Sequence, residues 1–383
     1  MSKQIRVLQV CSGPFINRGV EMFLMNLYRN IDRSKVQFDF LTPCTFEEPN
    51  YRKEILSYGG KIYEFGLPNQ TLKKCLPFYR KLKKFLQANS YDVIHISTGD
   101  INILALGSLA AKKAGVPIRI VHSQNDGLPS WKHSLKKHCY SSLLKTSPTH
   151  YYACSPAAGA WTFPESIIKE GKLVVMNNAI DLEKFQFDST KREEMRSELG
   201  VNDQFVVGHV GGFVPQKNHR FLISVFEEIV KINPSARLLL IGEGSLQPEI
   251  KQMVENKHLS ERVIFYGTTN RVPELLLAMD CFVFPSVYEG FGIVVIEAQS
   301  SGLPTFVSSV LPKTVHVTNL IHYLPLSSSA QQWAQEILSG SIDCDREHVT
   351  KALIGGGNDI RVVAKQLEKL YCGAGEEKKS ETE

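Results

Sequence analysis

Short apolar runs alternate with helical patterns along most of this chain, and the alternation occurs twice. Residues 5–10 (IRVLQV), 38–43 (FDFLTP), 92–97 (DVIHIS), 118–123 (IRIVHS) and 151–155 (YYACS) read as buried strands, with helical patterns at 21–31 and 105–115. A second series begins near residue 205 with FVVGHVGG, a helical HRFLISVFEEIVKIN, ARLLLIGEG, VIFYG, a helical VPELLLAM and CFVFPS. Strands that are apolar on both faces and separated by helices form parallel sheets covered on both sides. The pattern predicts an α/β protein with two Rossmann-like, doubly wound domains, 1–178 and 200–340, and 341–383 as a closing helix (359–371) with a disordered charged tail. A chain of 383 residues is long enough for two cores. Ligands of open parallel sheets bind at strand C-termini, so a crevice where two such sheets meet is the expected site.

Charge is divided unevenly. Residues 1–175 hold 24 Lys/Arg against 12 Asp/Glu, and residues 176–383 hold 20 against 27, so the net +5 conceals halves of +12 and −7. The first half is suited to an anionic partner: a phosphorylated substrate, acidic lipid or nucleic acid, the last disfavoured by the lack of any recognisable module. Eight cysteines, at 11, 44, 75, 139, 154, 281, 344 and 372, show neither zinc-ligand nor disulfide-framework spacing and read as reduced thiols of a cytoplasmic protein. The start, MSKQIRVLQVCSG, enters a strand without an apolar leader, and no run has the length of a membrane span. A soluble or peripheral protein is expected.

Three glycine-containing turns follow strands: CSGPFINRGVE, GHVGGFVPQKNH and YEGFGI. Glycine lets backbone approach a ligand, and the N–H groups of a following helix hold phosphate. Three such turns in register suggest a nucleotide diphosphate; tight βα turns with no ligand are the plain alternative. Lys217, just before HRFLISVF, is electrostatically misplaced at a helix start unless an anion sits there, a solvated surface lysine being the other reading. Glu289 and Glu297 flank the Gly290 to Gly292 turn, too far apart to stack on one helix face, and are suited to gripping different hydroxyls of one extended ligand. Asp343 and Asp345 form the only D-x-D and read as loop acids, so no metal is expected.

The stretch PSVYEGFGIVVIEAQSSGLP, together with HVGGFVPQKNH, LIGEGSL, VIFYGTTNRVPELLLAMDCFVFPS and HSQND, resembles the retaining family 4 glycosyltransferases of the GT-B fold, two Rossmann-like domains facing across a cleft. The likeness covers about 5–340 and is nearest to bacterial enzymes of capsular and exopolysaccharide assembly. It implies that Glu289 contacts the transferred sugar and Glu297 the ribose. Main-chain N–H groups of Gly290, Phe291 and Gly292 would meet sugar and diphosphate, with Gly242 also in the donor site. Lys217 would neutralise the leaving diphosphate, Val272 would lie at the base, the Gly13 to Gly19 loop would close over the phosphates, and His122 would stand near the reacting sugar. It further implies a UDP-sugar donor, no cofactor or metal, and front-face displacement; the residues alone leave a carboxylate nucleophile open.

Three positions depart from that family pattern. Gly212 stands where an arginine is usual, and NRGVE has a single glycine, Gly19, behind Arg18, a cation placed to reach the diphosphate from the other domain. Gln124 replaces the second histidine of a frequent HSHN pattern, and His95 reads as a structural histidine or a ligand contact. Basic amphipathic patterns at 71–89 and 129–145 suit an anionic membrane surface or an ordinary solvated helix face. The expected acceptor is a polyprenyl-diphosphate-linked or oligosaccharide substrate, with the protein peripheral on the inner face of the cell membrane. A donor-binding partner without turnover is the alternative that Gly212 motivates; a nucleotide-sugar epimerase and an NAD-dependent dehydrogenase fit less well, the latter lacking G-x-G-x-x-G.

Overall fold

The computed structural model describes residues 4–16, 19–69, 71–124, 131–289, 292–340, 346 and 357–380, and the chain divides into two units, 1–179 with 360–383, and 180–359. In the first unit seven parallel strands run β1 (Ile5–Val10), β2 (Val36–Thr42), β3 (Ile62–Glu64), β4 (Val93–Thr98), β5 (Ile118–Ser123), β6 (His150–Ala153) and β7 (Leu173–Val175), in spatial order β3-β2-β1-β4-β5-β6-β7. Connecting them are α1 (Gly19–Asn30), α2 (Pro49–Ser57), α3 (Thr71–Ala88), α4 (Ile101–Lys113), α5 (Trp131–Thr146), α6 (Pro156–Thr162) and α7 (Glu165–Lys169). The apolar register explains the burial: Val7, Phe38, Phe40, Val93 and Ile120 line one core with Phe23 and Leu27 of α1.

The second unit repeats the scheme. Six parallel strands, β8 (Val206–Val210), β9 (Arg237–Ile241), β10 (Val263–Gly267), β11 (Cys281–Phe284), β12 (Thr305–Ser308) and β13 (Ile321–Leu324), lie in order β10-β9-β8-β11-β12-β13. Its helices are α8 (Ser189–Leu199), α9 (His219–Ile232), α10 (Gln247–Asn256), α11 (Val272–Ala278), α12 (Ile293–Ser300) and α13 (Ala330–Gly340). The carbonyl end of α11 is tied down by cations: Arg192 Nη1 donates to Leu277 O and Met279 O at 2.6 Å, Arg196 Nη1 to Ala278 O at 2.8 Å, and Arg346 Nη1 to Met279 O at 3.0 Å. Such cations satisfy carbonyls that have no helical partner and suit the negative end of the dipole.

In both sheets the strand order reverses beside the first strand, between β1 and β4 in one unit and between β8 and β11 in the other. At such a switch point neighbouring crossovers leave in opposite directions and a crevice opens at the strand C-termini. The C-terminal helix, Ile360–Ser380, belongs to the first unit: Val363, Ala364, Leu367 and Tyr371 are buried in its core. The helix runs on to Ser380, through residues that the sequence reading gives to a disordered tail; Glu, Lys and Ala there are good helix formers. Asp343 and Asp345 lie outside the described residues.

Main-chain packing fixes the second switch point. Gly242 has φ +132°, and a Cβ there would stand 2.4 Å from Gly211 O. Gly242→Ala is therefore expected to lower the thermal stability of the second unit, by about 1–3 kcal/mol, measurable as an earlier thermal transition; an unchanged transition would show that the loops can part without cost.

Candidate functional site at the β8 and β11 switch point

The two loops that leave β8 and β11 are laced together. Val287 N donates to Gln216 O at 2.9 Å, Gln216 Nε2 to Tyr288 O at 2.9 Å, and Asn218 Nδ2 to Pro285 O at 3.2 Å. Residues 215–217 form a single 3-10 turn and Asn218, at φ 56°, redirects the chain into α9 without giving its N-terminus a side-chain cap. The first N–H groups of α9 are left for another acceptor, the arrangement that favours an anion.

This lacing brings Lys217 and Glu289 together. The Lys217 ammonium donates to Glu289 Oε1 and stands 4.5 Å from the centroid of the Phe284 ring. Both side chains are largely shielded, at 18% and 9% exposure, so their attraction is stronger than that of a surface pair. Gly292, at φ 76°, turns the chain into α12, and Gly290 and Phe291 lie outside the described residues. Glu297 follows in α12, 3% exposed, its carboxylate with neither hydrogen bond nor ion pair to any described residue. Burial alone pushes its carboxyl up to about 7.

Gly212 sits where β8 hands over to that loop; a Cβ there would meet only Glu243 O, at 3.3 Å, so a larger residue needs a small adjustment. Gly242 and Gly244 press against Gly211 and Phe213 backbone to backbone, with Gly211 N donating to Ile241 O at 2.9 Å and Phe213 N to Glu243 O at 3.0 Å. Val272 opens α11 at the C-terminal end of β10, the edge that carries the other loops.

The first unit holds the remaining candidates. Gly13 follows β1, its carbonyl accepting from Thr42 Oγ1 at 2.5 Å, and Gly19 is the first residue of α1, while Arg18 lies outside the described residues. His122 has no exposed surface; its ring stacks on His95 with centroids 5.4 Å apart and meets Phe23 edge-on at 5.8 Å. Burial lowers it to about 3, so it is neutral. β5 carries the ring into the space between sheet and α1, where its Nε2 has no partner among the described residues. It is part of a buried chain: Gln9 Nε2 lies 3.4 Å from Tyr371 Oη, Tyr371 Oη 2.7 Å from His95 Nδ1, and His95 Nε2 3.3 Å from His122 Nδ1. His95 takes the structural reading. Gln124 is buried too, its amide without a partner among the described residues.

The paired βαβ sheets with these loops define the GT-B class of glycosyltransferase architecture. The model of glycosyl transferases group 1 matches residues 191–339 and that of glycosyltransferase family 4 matches 17–184. The chain is similar to glycosyltransferase EpsF of Bacillus subtilis, 36% identical over 97% of each chain. It is also similar to UDP-Gal:alpha-D-GlcNAc-diphosphoundecaprenol alpha-1,3-galactosyltransferase of Escherichia coli, 30% identical over 63% of this chain and 62% of that one. HepE of Anabaena, solved in complex with UDP, shares the fold at TM-score 0.75 and 19% identity, covering 95% of this chain and 98% of that one. The chain belongs to this glycosyltransferase family.

Glu297 has a pH signature. Its folded pKa is above the ordinary 4.5, so the stability it contributes is full below that value and is lost as pH rises through about 7. Glu297→Gln should leave stability unchanged near pH 4 and raise that of the ligand-free chain by up to about 3 kcal/mol above pH 8. Urea unfolding at the two pH values reads this, and a variant no more stable at high pH would mean that the carboxylate already has a partner.

Proposed function

We infer that the chain is a retaining glycosyltransferase that takes a sugar from a UDP-sugar and passes it to a lipid-diphosphate-linked or oligosaccharide acceptor in surface polysaccharide assembly. The observation that carries the donor reading is Glu297: a buried carboxylate with no described partner is costly unless a ligand supplies donors. Two vicinal hydroxyls of a ribose provide them in bidentate form. Eight residues earlier, Glu289 is placed for hydroxyls of the sugar, and the Gly290 to Gly292 turn falls between the two carboxylates for the diphosphate.

Breaking the sugar–phosphate bond leaves charge on the diphosphate. Lys217, held over Phe284, and the uncapped N-terminus of α9 meet that charge with preorganised positive potential. In this reading no cofactor or metal takes part. A donor anion competes with Glu289 for the ammonium, which frees the carboxylate for the sugar as the cation turns to the phosphate. The nucleotide choice is supported by the UDP held by the HepE structure and the UDP-galactose named for the E. coli relative, whose acceptor is diphosphoundecaprenol-linked.

The acceptor side is read from α3, α4 and α5, which pack side by side on the first sheet. These three helices hold twelve lysines and arginines and no aspartate or glutamate. At the helix N-termini, Leu76, Trp131 and Leu135 expose 53%, 73% and 56% of their surface. Apolar wedges in an acid-free basic layer fit an anionic membrane surface, consistent with a peripheral protein at the inner face of the cell membrane. No described helix is long and apolar enough to cross a membrane.

Turnover of UDP-sugars with a membrane extract tests the donor reading. Lys217→Ala should reduce transfer on the order of 100-fold, with activity unaffected by a chelator; binding of donor by the natural chain without transfer or hydrolysis would favour a non-catalytic partner instead. Liposome flotation tests the surface: the chain should float with vesicles containing phosphatidylglycerol and less with pure phosphatidylcholine, and Trp131→Ser with Leu135→Ser should release it. Equal recovery on both lipids would sink the membrane reading.

A further inference from the structure

Beneath the Gly211–Gly212 turn lie two histidines that the site just described does not use. His209 is in β8 and His219 opens α9; their exposures are 0% and 1%. Their rings meet edge to face, with centroids 4.7 Å apart and planes at 77°. His209 Nδ1 is 2.8 Å from the Val283 carbonyl and donates to it, so its Nε2 is a lone-pair acceptor, and that nitrogen has no partner. Neither ring nitrogen of His219 has one among the described residues. A Cβ on Gly211 would stand 3.0 Å from His209 Nε2, which places the pair directly under the turn. Buried polar atoms are almost always satisfied, and three unsatisfied nitrogens in one cluster call for a reason.

Apolar rings enclose the pair. His219 lies flat on Phe213 at 4.1 Å, and His209 stacks on Phe284 at 5.6 Å. The charged groups facing it are few. Lys217 precedes α9 and is engaged by Glu289 of the β11 loop. On the far side, Lys251 of α10 lies over Phe265, which stacks on Phe213 at 6.0 Å. Glu243, exposed on the β9–α10 loop, has its carboxylate toward Gly267. The Lys217–Glu289 pair is neutral as a unit, so a diphosphate with two negative charges at the start of α9 meets less countercharge than it carries.

We propose that the His209–His219 pair takes up a proton when the diphosphate of a nucleotide-sugar settles at the N-terminus of α9, and so supplies the countercharge that Gly212 does not. The inference rests on the donor-site reading above. The proton comes from bulk buffer and adds to an imidazole lone pair, giving an imidazolium shared by the two rings; no bond of the ligand changes. In the free chain, burial and then Lys217 hold His219 down at about 4 and keep it neutral. An incoming anion offsets Lys217 and adds attraction across a low-dielectric cluster, where charge acts strongly. His219 and His209 are positioning residues on this account, acting on the diphosphate through the turn and Lys217.

Isothermal titration calorimetry of the full chain with UDP-glucose, UDP-galactose and UDP-N-acetylglucosamine, each in buffers of differing ionisation enthalpy, counts the protons exchanged. A diphosphate diester has no group that titrates near neutrality, so exchanged protons belong to the protein; Glu297, held at about 7 by burial, releases one as ribose hydroxyls engage its carboxylate, so the pair's share is the difference in proton count between the natural chain and the variants. That difference is expected to be an uptake near pH 6, fading by about pH 8, with affinity falling several-fold over the same interval. Uptake should drop in His219→Asn and in His209→Gln, and also in Gly212→Arg, whose permanent charge makes the proton unnecessary while binding tightens. Should a histidine variant fail to fold, the proton count on the natural chain and on Gly212→Arg still decides. Binding with a proton count unaltered in all three variants overturns the proposal. Failure of every UDP-sugar to bind overturns the donor reading itself, and is seen before any proton is counted.

Discussion

Lys217 and Glu289 close onto each other at the place where the second sheet reverses its strand order. Each comes from a different crossover, and without their attraction the loops after β8 and β11 would share, among the described residues, three hydrogen bonds. The pair holds a cation and an anion apart from water. A salt bridge of this kind stores its partners in neutralised form. On the donor reading proposed above, a substrate meets a pair ready to be divided rather than bare charges.

The glycines around this point are less about flexibility than about thickness. Gly211, Gly242 and Gly244 let two loop backbones touch, so the turn that faces a ligand rests on main chain rather than side chains. A floor of that kind cannot be repacked by rotamer changes. It gives the lysine and the N-terminus of α9 a fixed height relative to the sheet edge.

Much of this was legible in the sequence, and what was not has a physical cause. Strands β1 and β5 appear over their full lengths in the apolar runs, because parallel strands covered on both faces admit few polar residues. The Lys217 position and the glycine turn before Glu297 were legible too, since each is local to a βα junction. The surroundings of His122 were not legible, because a histidine at a strand end looks the same in sequence whether its ring faces solvent or the sheet's covering helix. The buried link from Gln9 through Tyr371 and His95 to His122 spans more than 360 residues, and no local pattern reports a contact of that separation. The His209–His219 pair was visible only as two histidines ten residues apart; their shared burial needed the β8 to α9 turn.

The C-terminal helix has a consequence for how the chain is made. Its residues complete the core of the first unit, and Tyr371 supplies the only described side-chain partner of His95 Nδ1. On the ribosome, residues 180–359 emerge and have all they require for their own sheet before that helix exists. The second unit is therefore able to finish first. The first unit, although its strands are synthesised earlier, must wait with an open flank until residues 360–380 have left the ribosome.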